Sequence, residues 1–315
     1  MTWGFQAVIK LAPSRRVSGD IHQVWRLPGT VGEVRLSGAG ENLIENSDLT
    51  FRAGGYASPA EAQAAGESFH DWLRLASALE GWGFAVGEQV ECLGAPVEDS
   101  VMPKGVLRLP DVHGLVFYEE TGTPMRLSGR AAGMVLWSGD TIRDALVRTA
   151  SSARLGKKLA LACDLVSLVE HESSDRARLL NLVAAMEVLA NRKPRTGRVR
   201  KLVEGFIEEA RAALNMPTVA AEQRQIESLQ GALEGLRRIS ISASVRDLAA
   251  RARPSDQAAA RDLVTRTYAC RSEMLHDGYS TEDPGRLHGE VLALVQDMIR
   301  VLLVSDHSDT EGASR

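Results

Sequence analysis

The sequence predicts an α+β N-terminal domain followed by an all-α helical bundle. Its 315 residues exceed the length of about 100–200 residues that a single domain usually has. All five tryptophans and most of the 28 glycines lie before residue 140, and glycine punctuates short strands and turns. The remainder is rich in alanine, leucine, arginine and glutamate, which favour packed helices. We therefore predict the α+β domain over residues 1–135, the bundle over 136–306 and a disordered polar tail over 307–315.

Short runs of alternating polar and apolar residues predict strands in the first domain. They cover residues 5–10, 33–36, 48–52, 114–118 and 125–128. One helix is marked at both ends, because Ser58, Pro59 and Glu61 supply a capping box with a first-turn proline. Gly81 predicts the C-terminus of this helix. No catalytic motif is evident here, so we expect a sensor module that binds a regulatory protein or a ligand.

The second domain shows helical periodicity throughout. We predict helices over residues 140–171 with a break at Gly156, and over 175–191, 199–214, 221–238 and 255–276. A last helix begins with Asp283 as its cap and Pro284 in its first turn, and its apolar residues recur on one face. This succession of helices indicates a bundle.

Charge and cysteine content restrict the class of protein. The net charge is −4 at pH 7, so any contact with nucleic acid depends on a local basic patch. The three cysteines, Cys92, Cys163 and Cys270, form no CxxC pair, which favours reduced thiols and a cytoplasmic protein. No run of 18 apolar residues predicts a membrane span, and no leader segment is visible. No ligand set or complete glycine-rich loop predicts a metal or a cofactor.

Two predicted helices of the second domain each carry one charge on their apolar side. At 100° per residue, Arg271 lies about 20° from Val264, and Glu187 lies about 40° from Val183. A guanidinium cannot lose its proton in a protein, and its burial is costly unless it is paired. We therefore expect Glu187 and Arg271 to lie near one another, either as a structural ion pair or as part of a site.

A histidine follows this arginine at the predicted helix end. His276 precedes Asp277 and Gly278, and glycine commonly takes the left-handed conformation just past a helix C-terminus. Arg271 and His276 are about 140° apart on the helix, so they share a cleft only if another helix or a second copy closes over this end. Such a pair suits phosphodiester chemistry, because histidine transfers a proton and arginine stabilises anionic charge. The alternative is a histidine that only donates to helix-end carbonyls.

The stretch YACRSEMLHDG, from Tyr268 to Gly278, resembles HEPN domains and their R-x4-H motif. It is most similar to the ApeA-like HEPN branch, where an aromatic residue precedes Arg-Ser and a glycine closely follows the histidine. Asp277 intervenes before Gly278 here, and the helix around Glu187 is similar to the glutamate-bearing upstream helix of that branch. The resemblance covers residues 140–306 and does not extend to the first domain.

The resemblance implies a four- to five-helix up-and-down bundle that dimerises and brings two R-x4-H motifs into one composite site. In active members this site cleaves RNA without a metal. The ribose 2′-hydroxyl attacks the adjacent phosphate, which excludes DNA as a substrate. The catalytic candidates are then Arg271, His276 and Ser272, and the supporting residues are Glu187, Tyr268 and Asp277. Many such ribonucleases belong to toxin and anti-phage systems.

A basic segment lies between two predicted helices. It holds six cations and no acid: Arg192, Lys193, Arg195, Arg198, Arg200 and Lys201. It is either a solvated loop or a patch that contacts the RNA backbone. Tyr268 has two interpretations as well, as a packing residue or as a platform on which a base stacks.

The sequence thus predicts a cytoplasmic, homodimeric, metal-independent endoribonuclease that binds RNA and uses no cofactor. One alternative is a HEPN module that no longer cleaves and serves as a scaffold for dimerisation or for nucleotide or RNA binding. Another is an active N-terminal domain with the bundle as an oligomeriser. The presence of both Arg271 and His276 disfavours the non-cleaving scaffold, since a scaffold needs neither residue. The lack of a catalytic constellation before residue 140 disfavours the second.

Overall fold

The computed structural model describes residues 2–87, 106–108, 114–119, 123–125, 135–150, 154–216 and 219–312. A β-sheet region comes first along the chain and a helical region follows, which confirms the predicted order of the two classes. The strands are β1 (Trp3–Leu11), β2 (Arg15–Ser18), β3 (Asp20–Trp25), β4 (Val34–Asn42), β5 (Asp48–Tyr56), β6 (Phe84–Ala85), β7 (Val106–Arg108), β8 (Gly114–Glu119), β9 (Thr123–Met125) and β10 (Val135–Ser138). The helices are α1 (Pro59–Glu80), α2 (Gly139–Thr149), α3 (Lys157–Leu168), α4 (Asp175–Leu189), α5 (Gly197–Leu214), α6 (Ala220–Gly235), α7 (Ile241–Ala252), α8 (Gln257–His276) and α9 (Pro284–Gly312).

The main sheet is antiparallel and is built around β1. Its strand order is β3-β4-β5-β1, and the other edge of β1 pairs with β8 and, at its end, with β6. Helix α1 packs against this sheet, where Phe69 contacts the rings of Phe5, Phe51 and Trp72. Two short parallel pairs, β2 with β10 and β7 with β9, lie outside the main sheet.

Helix α1 begins and ends where the sequence predicts. The Ser58 hydroxyl accepts a hydrogen bond from the Glu61 N–H at 3.2 Å. The Glu61 carboxylate in turn accepts one from the Ala57 N–H at 3.1 Å, which closes the capping box. Gly81 ends the helix with a φ of +66°, a conformation that side chains with a Cβ atom rarely adopt. Local chemistry therefore fixes both ends.

The helical region is a bundle whose core combines residues of α3, α4, α7, α8 and α9. Helix α7 is absent from the sequence prediction. The Ser240 hydroxyl caps it by accepting a hydrogen bond from the Ala243 N–H at 3.2 Å, and Val245, Leu248 and Ala249 are buried in the core. The predicted helix over 140–171 is divided into α2 and α3, with Gly156 as the N-cap of α3.

Helix α2 belongs to the core of the first region. Its Ile142, Ala145 and Leu146 are buried together with residues of the sheet and of α1. The predicted limit between residues 135 and 136 falls at the start of β10, ahead of α2. Helix α1 contributes to both cores, because its Leu75 and Ala78 are buried with the bundle residues.

Charged contacts join α1 to the bundle. The buried Asp71 carboxylate accepts hydrogen bonds from the Arg154 guanidinium at 2.8 Å and from the Leu155 N–H at 3.2 Å. Arg74 of α1 pairs with Asp164 of α3 at 2.9 Å. These contacts hold the first region against α3.

Two predicted segments are described only in part. Met125 ends β9, and residues 126–128 of the predicted strand lie outside the described residues. The predicted tail overlaps α9, which continues to Gly312, because extending an existing helix costs far less than nucleating one. Within the described residues, no helix has both the length and the apolar character needed to cross a membrane.

Candidate functional site

The C-terminal end of α8 carries the predicted catalytic residues. His276 is the last residue of the helix, and the Asp277 N–H donates to the Glu273 carbonyl at 2.8 Å. Gly278 follows with a φ of +76°, so the chain leaves the helix in the left-handed conformation that the sequence predicts. His276 and Asp277 are exposed, and the imidazole is therefore open to a ligand.

One carboxylate holds the loop after α8. Glu273 accepts hydrogen bonds from the Thr281 N–H at 2.7 Å and from the Thr281 hydroxyl at 2.9 Å. These hydrogen bonds hold the pKa of Glu273 below its usual range, because they stabilise the ionised form. Arg266 of α8 also pairs with Glu282 of the loop at 2.7 Å. The segment that follows His276 is therefore tied back to its own helix.

Glu187 and Tyr268 form a hydrogen bond between α4 and α8. The Tyr268 hydroxyl donates to the Oε1 atom of Glu187 at 3.1 Å. Burial, and then the negative charge of Glu187, raise the pKa of Tyr268, so the hydroxyl keeps the proton it donates. The positive charges of Arg271 and Arg246 act in the opposite direction. Both guanidinium groups therefore lie close to the tyrosine.

The structure gives Glu187 a tyrosine partner where the sequence predicts Arg271. Both residues are described, and no side-chain nitrogen of Arg271 lies within the 4.0 Å of a Glu187 oxygen that defines an ion pair. Arg271 is half-buried, so its guanidinium keeps contact with water and needs no carboxylate. Of the two predicted forms, the direct ion pair is therefore not formed, and Glu187 bonds Tyr268, which shares the side of α8 that faces α4.

Exposure separates the candidate residues into two groups. Ser272, His276 and Asp277 are exposed, whereas Tyr268 and Glu187 are half-buried and bonded to each other. Tyr268 thus packs and positions α4 against α8. This hydrogen bond supports the packing interpretation of Tyr268, and its role as a stacking platform stays a prediction.

Tyr279 is an aromatic residue that the sequence analysis missed. Its side chain is 61% exposed, three residues after His276 and directly after Gly278. An exposed aromatic ring offers a face on which a base can stack. The sequence itself indicates this exposed position, because Tyr279 directly follows Gly278, the glycine that ends the helix.

Part of the predicted basic segment supports the fold. The Arg192 guanidinium donates to the Ile239 carbonyl at 2.9 Å, and the Arg195 guanidinium donates to the Leu236 carbonyl at 2.8 Å. These carbonyls lie just beyond the C-terminus of α6, where backbone acceptors lack helical partners. Arg192 and Arg195 therefore fix the base of the α5–α6 hairpin.

The remaining cations of the segment lie at the surface. Arg200 pairs with Glu204 at 2.7 Å. Lys193, Arg198 and Lys201 are exposed and make no ion pair with a described carboxylate. The loop after α6 lies alongside, because Pro194 and Arg238 form an isolated β-bridge. We call the exposed cations Lys193, Arg198, Lys201, Arg237 and Arg238 the basic surface.

Chain connectivity relates the basic segment to the contact between α4 and α8. Glu187 lies two residues before the end of α4 and contacts Tyr268. The basic segment follows α4 directly, and Arg192 is bonded to Ile239 just before α7 begins. The chain of α8 continues from Tyr268 for about two turns to His276. The basic segment thus begins close to the contact between α4 and α8 at Tyr268.

Comparisons with known proteins add no relative. No family model, no curated protein and no solved structure matches the chain. In the part of the chain that the structure describes, no group of three or more His, Cys, Asp or Glu side chains is placed to hold a metal ion. Cys163 and Cys270 are free and buried, and Cys92 lies outside the described residues.

Proposed function

We propose that the protein is a metal-independent endoribonuclease of the HEPN type. The observation that carries the proposal is the end of α8, where an exposed His276 and a half-buried Arg271 lie beside a loop that Glu273 holds. Together with the resemblance to the R-x4-H motif, this exposed pair of a proton-transfer group and an anion-binding group supports phosphodiester chemistry. The role in toxin or anti-phage defence follows from the resemblance alone.

The chemistry requires one proton acceptor, one proton donor and a group that stabilises the phosphate. The 2′-hydroxyl loses its proton to one imidazole while its oxygen bonds to phosphorus, and the bond from phosphorus to the 5′-oxygen breaks. A second imidazole protonates the leaving 5′-oxygen. The Arg271 guanidinium donates to the phosphate oxygens, where charge accumulates in the transition state. The exposed Ser272 hydroxyl adds a further donor on the same helix.

A second copy of the chain supplies the second histidine. Within one copy, Arg271 and His276 are about 140° apart on α8, too far around the helix to surround a phosphate. If the same surface of both copies meets at a two-fold axis through the cleft, each copy contributes its own Arg271 and His276. The composite cleft then holds two arginines and two histidines.

RNA binding combines charge and stacking. The basic surface contacts the phosphate backbone on the approach to the cleft. Tyr279 stacks on a base next to the cleaved phosphate, since its ring is exposed close to His276. Ribose recognition needs no separate pocket, because only RNA has the 2′-hydroxyl that the reaction uses.

The product ends test this chemistry directly. Purified protein is incubated with a defined RNA oligonucleotide in the presence of EDTA, and the fragments are identified by mass spectrometry. We expect cleavage to persist and the fragments to end in a 2′,3′-cyclic phosphate and a 5′-hydroxyl. An oligonucleotide with one 2′-deoxyribose at the cleaved position is the matched control and should stay intact there. Cleavage that stops in EDTA, or fragments with a 3′-hydroxyl, would reject the proposal.

A further inference from the structure

Helix α7 brings a second guanidinium to the hydrogen bond between Tyr268 and Glu187. Arg246 lies in the second turn of α7, and this helix packs against α8, α9 and α4. Ala249 and Ala250 lie about 60° and 40° to either side of Arg246 around the helix, and both are buried. The side chain of Arg246 therefore leaves α7 on a packed side and is half-buried. Its positive charge acts on the Tyr268 hydroxyl from there.

Arg246 and Arg271 have no acidic partner in the part of the chain that the structure describes. Neither guanidinium forms an ion pair or a hydrogen bond there with another side chain. Three charged groups act on the Tyr268 hydroxyl, namely these two guanidiniums and the Glu187 carboxylate. Glu187 bonds the tyrosine and neither arginine. The half-buried surroundings of the hydroxyl thus carry one excess positive charge, which is costly without an anion.

Other half-buried arginines of the same two helices do have acidic partners. On α7, Arg253 pairs with Asp297 at 2.9 Å and so links α7 to α9. On α8, Arg266 pairs with Glu282 at 2.7 Å. Arg246 and Arg271 differ from these two, because their N–H donors have no described carboxylate and remain able to bind an anion from outside the chain.

We propose that Arg246 is a second phosphate-binding residue of the site, and that it and Arg271 of the same copy bind a phosphate group of the RNA strand. A phosphodiester carries two unesterified oxygens, and each is able to accept from a planar guanidinium fork. The negative charge of the phosphate offsets the excess positive charge beside Tyr268. Arg246 lies outside the R-x4-H motif, on a helix that the sequence analysis missed. Both guanidiniums belong to one copy, so this contact does not depend on the composite cleft.

The inference rests on the proposed function and deepens it by adding a residue to the same site, yet its test measures binding alone. The probe is a fluorescently labelled single-stranded RNA oligonucleotide with a 2′-O-methyl group on every ribose, which blocks attack on phosphorus. Its dissociation constant from the full chain is measured by fluorescence anisotropy at several salt concentrations. We expect Arg246→Ala to raise this constant about 10-fold or more. The slope of its logarithm against the logarithm of the salt concentration should fall by about 0.7, the value for one phosphate contact on a single strand.

Conservative variants separate phosphate binding from a structural role. Arg246→Lys keeps the charge and should keep the salt slope, with an intermediate affinity because an ammonium lacks the planar fork. Arg246→Gln removes the charge but keeps most of the stem, so it should bind like Arg246→Ala even where the alanine variant is less stable. Arg251→Ala, at an exposed arginine in the last turn of α7, is the matched control and should change neither quantity. Unaltered affinity in both uncharged variants, or a loss of affinity that leaves the salt slope unchanged, would overturn the inference.

Binding and cleavage can fail separately. A protein that binds the probe through Arg246 but leaves unmodified RNA intact would reject the proposed function and keep the phosphate site. If the unaltered protein cleaves RNA and Arg246→Ala binds and cleaves equally well, the nuclease stands and the role of Arg246 is rejected. An unaltered protein that does not bind the probe would also overturn the inference.

Discussion

Replacing His276 with alanine is expected to slow RNA cleavage at least about 100-fold, the lower end of what a general acid or base contributes. The substitution removes the imidazole from both copies, so neither the 2′-hydroxyl nor the leaving 5′-oxygen has a group with which to exchange a proton. His276 is exposed at the end of α8, and its loss leaves the core intact. The measurement is the single-turnover rate on a defined RNA oligonucleotide.

His22→Ala is the matched control for this variant. His22 is also exposed, but it lies on β3 in the first region. We expect its variant to cleave at the unaltered rate. A His276→Ala protein that is correctly folded and fully active would show that the imidazole takes no part in the reaction.

Replacing Arg271 with alanine is expected to lower the single-turnover rate by about 10²–10³, the range seen when one donor to a transition-state oxyanion is removed. Arg271→Lys should recover only part of this loss. Lysine keeps the charge but presents no planar fork to two phosphate oxygens. Arg261→Ala, at an exposed arginine earlier on α8, is the control and should have little effect.

The position of Arg271 near Tyr268 calls for a second measurement. Its charge lies close to the hydrogen bond between Tyr268 and Glu187, so the loss of Arg271 could disturb the contact between α4 and α8. Thermal melting separates the two effects. A slow variant with an unchanged Tm supports a role on the phosphate, whereas a rate that falls only in step with the Tm would assign Arg271 to the fold.

Local signals in the sequence were sufficient for several boundaries. Ser58 and Glu61 close the capping box of α1 with groups only three residues apart, and Gly81 and Gly278 adopt the positive φ that glycine tolerates. These features depend on covalent neighbours alone. They predict, without reference to any tertiary contact, that His276 lies at the end of its helix.

Helix α7 was missed because its signal is short. It spans 12 residues, and Val245, Leu248 and Ala249 give it an apolar stripe of only two turns. Its stability comes from burial of that stripe against the bundle core, which supplies most of the stability of short helices. A pattern of this length does not distinguish a helix from an irregular segment.

The partners of charged side chains depended on tertiary structure. A helical wheel gives the direction in which Glu187 points but not which side chain of the facing helix arrives there, and the structure places Tyr268 at that point. Arg192 and Arg195 similarly bond to carbonyls more than 40 residues further along the chain. Composition alone predicts the basic segment. The packing of α6 determines which of its cations are bonded within the fold and which remain exposed at the surface.

The most direct test of the central claim, that Arg271 and His276 of two copies act on one phosphate, is subunit mixing. The Arg271→Ala and His276→Ala proteins, each expected to cleave slowly alone, are mixed under conditions that allow the subunits to exchange. A mixed dimer retains one arginine and one histidine at the composite cleft, so one proton transfer and one phosphate contact remain. We predict partial recovery, with a cleavage rate above the sum of the two separate rates but below that of the unaltered protein. A mixture no more active than that sum, with exchange confirmed by sedimentation of differently tagged subunits, would contradict the account.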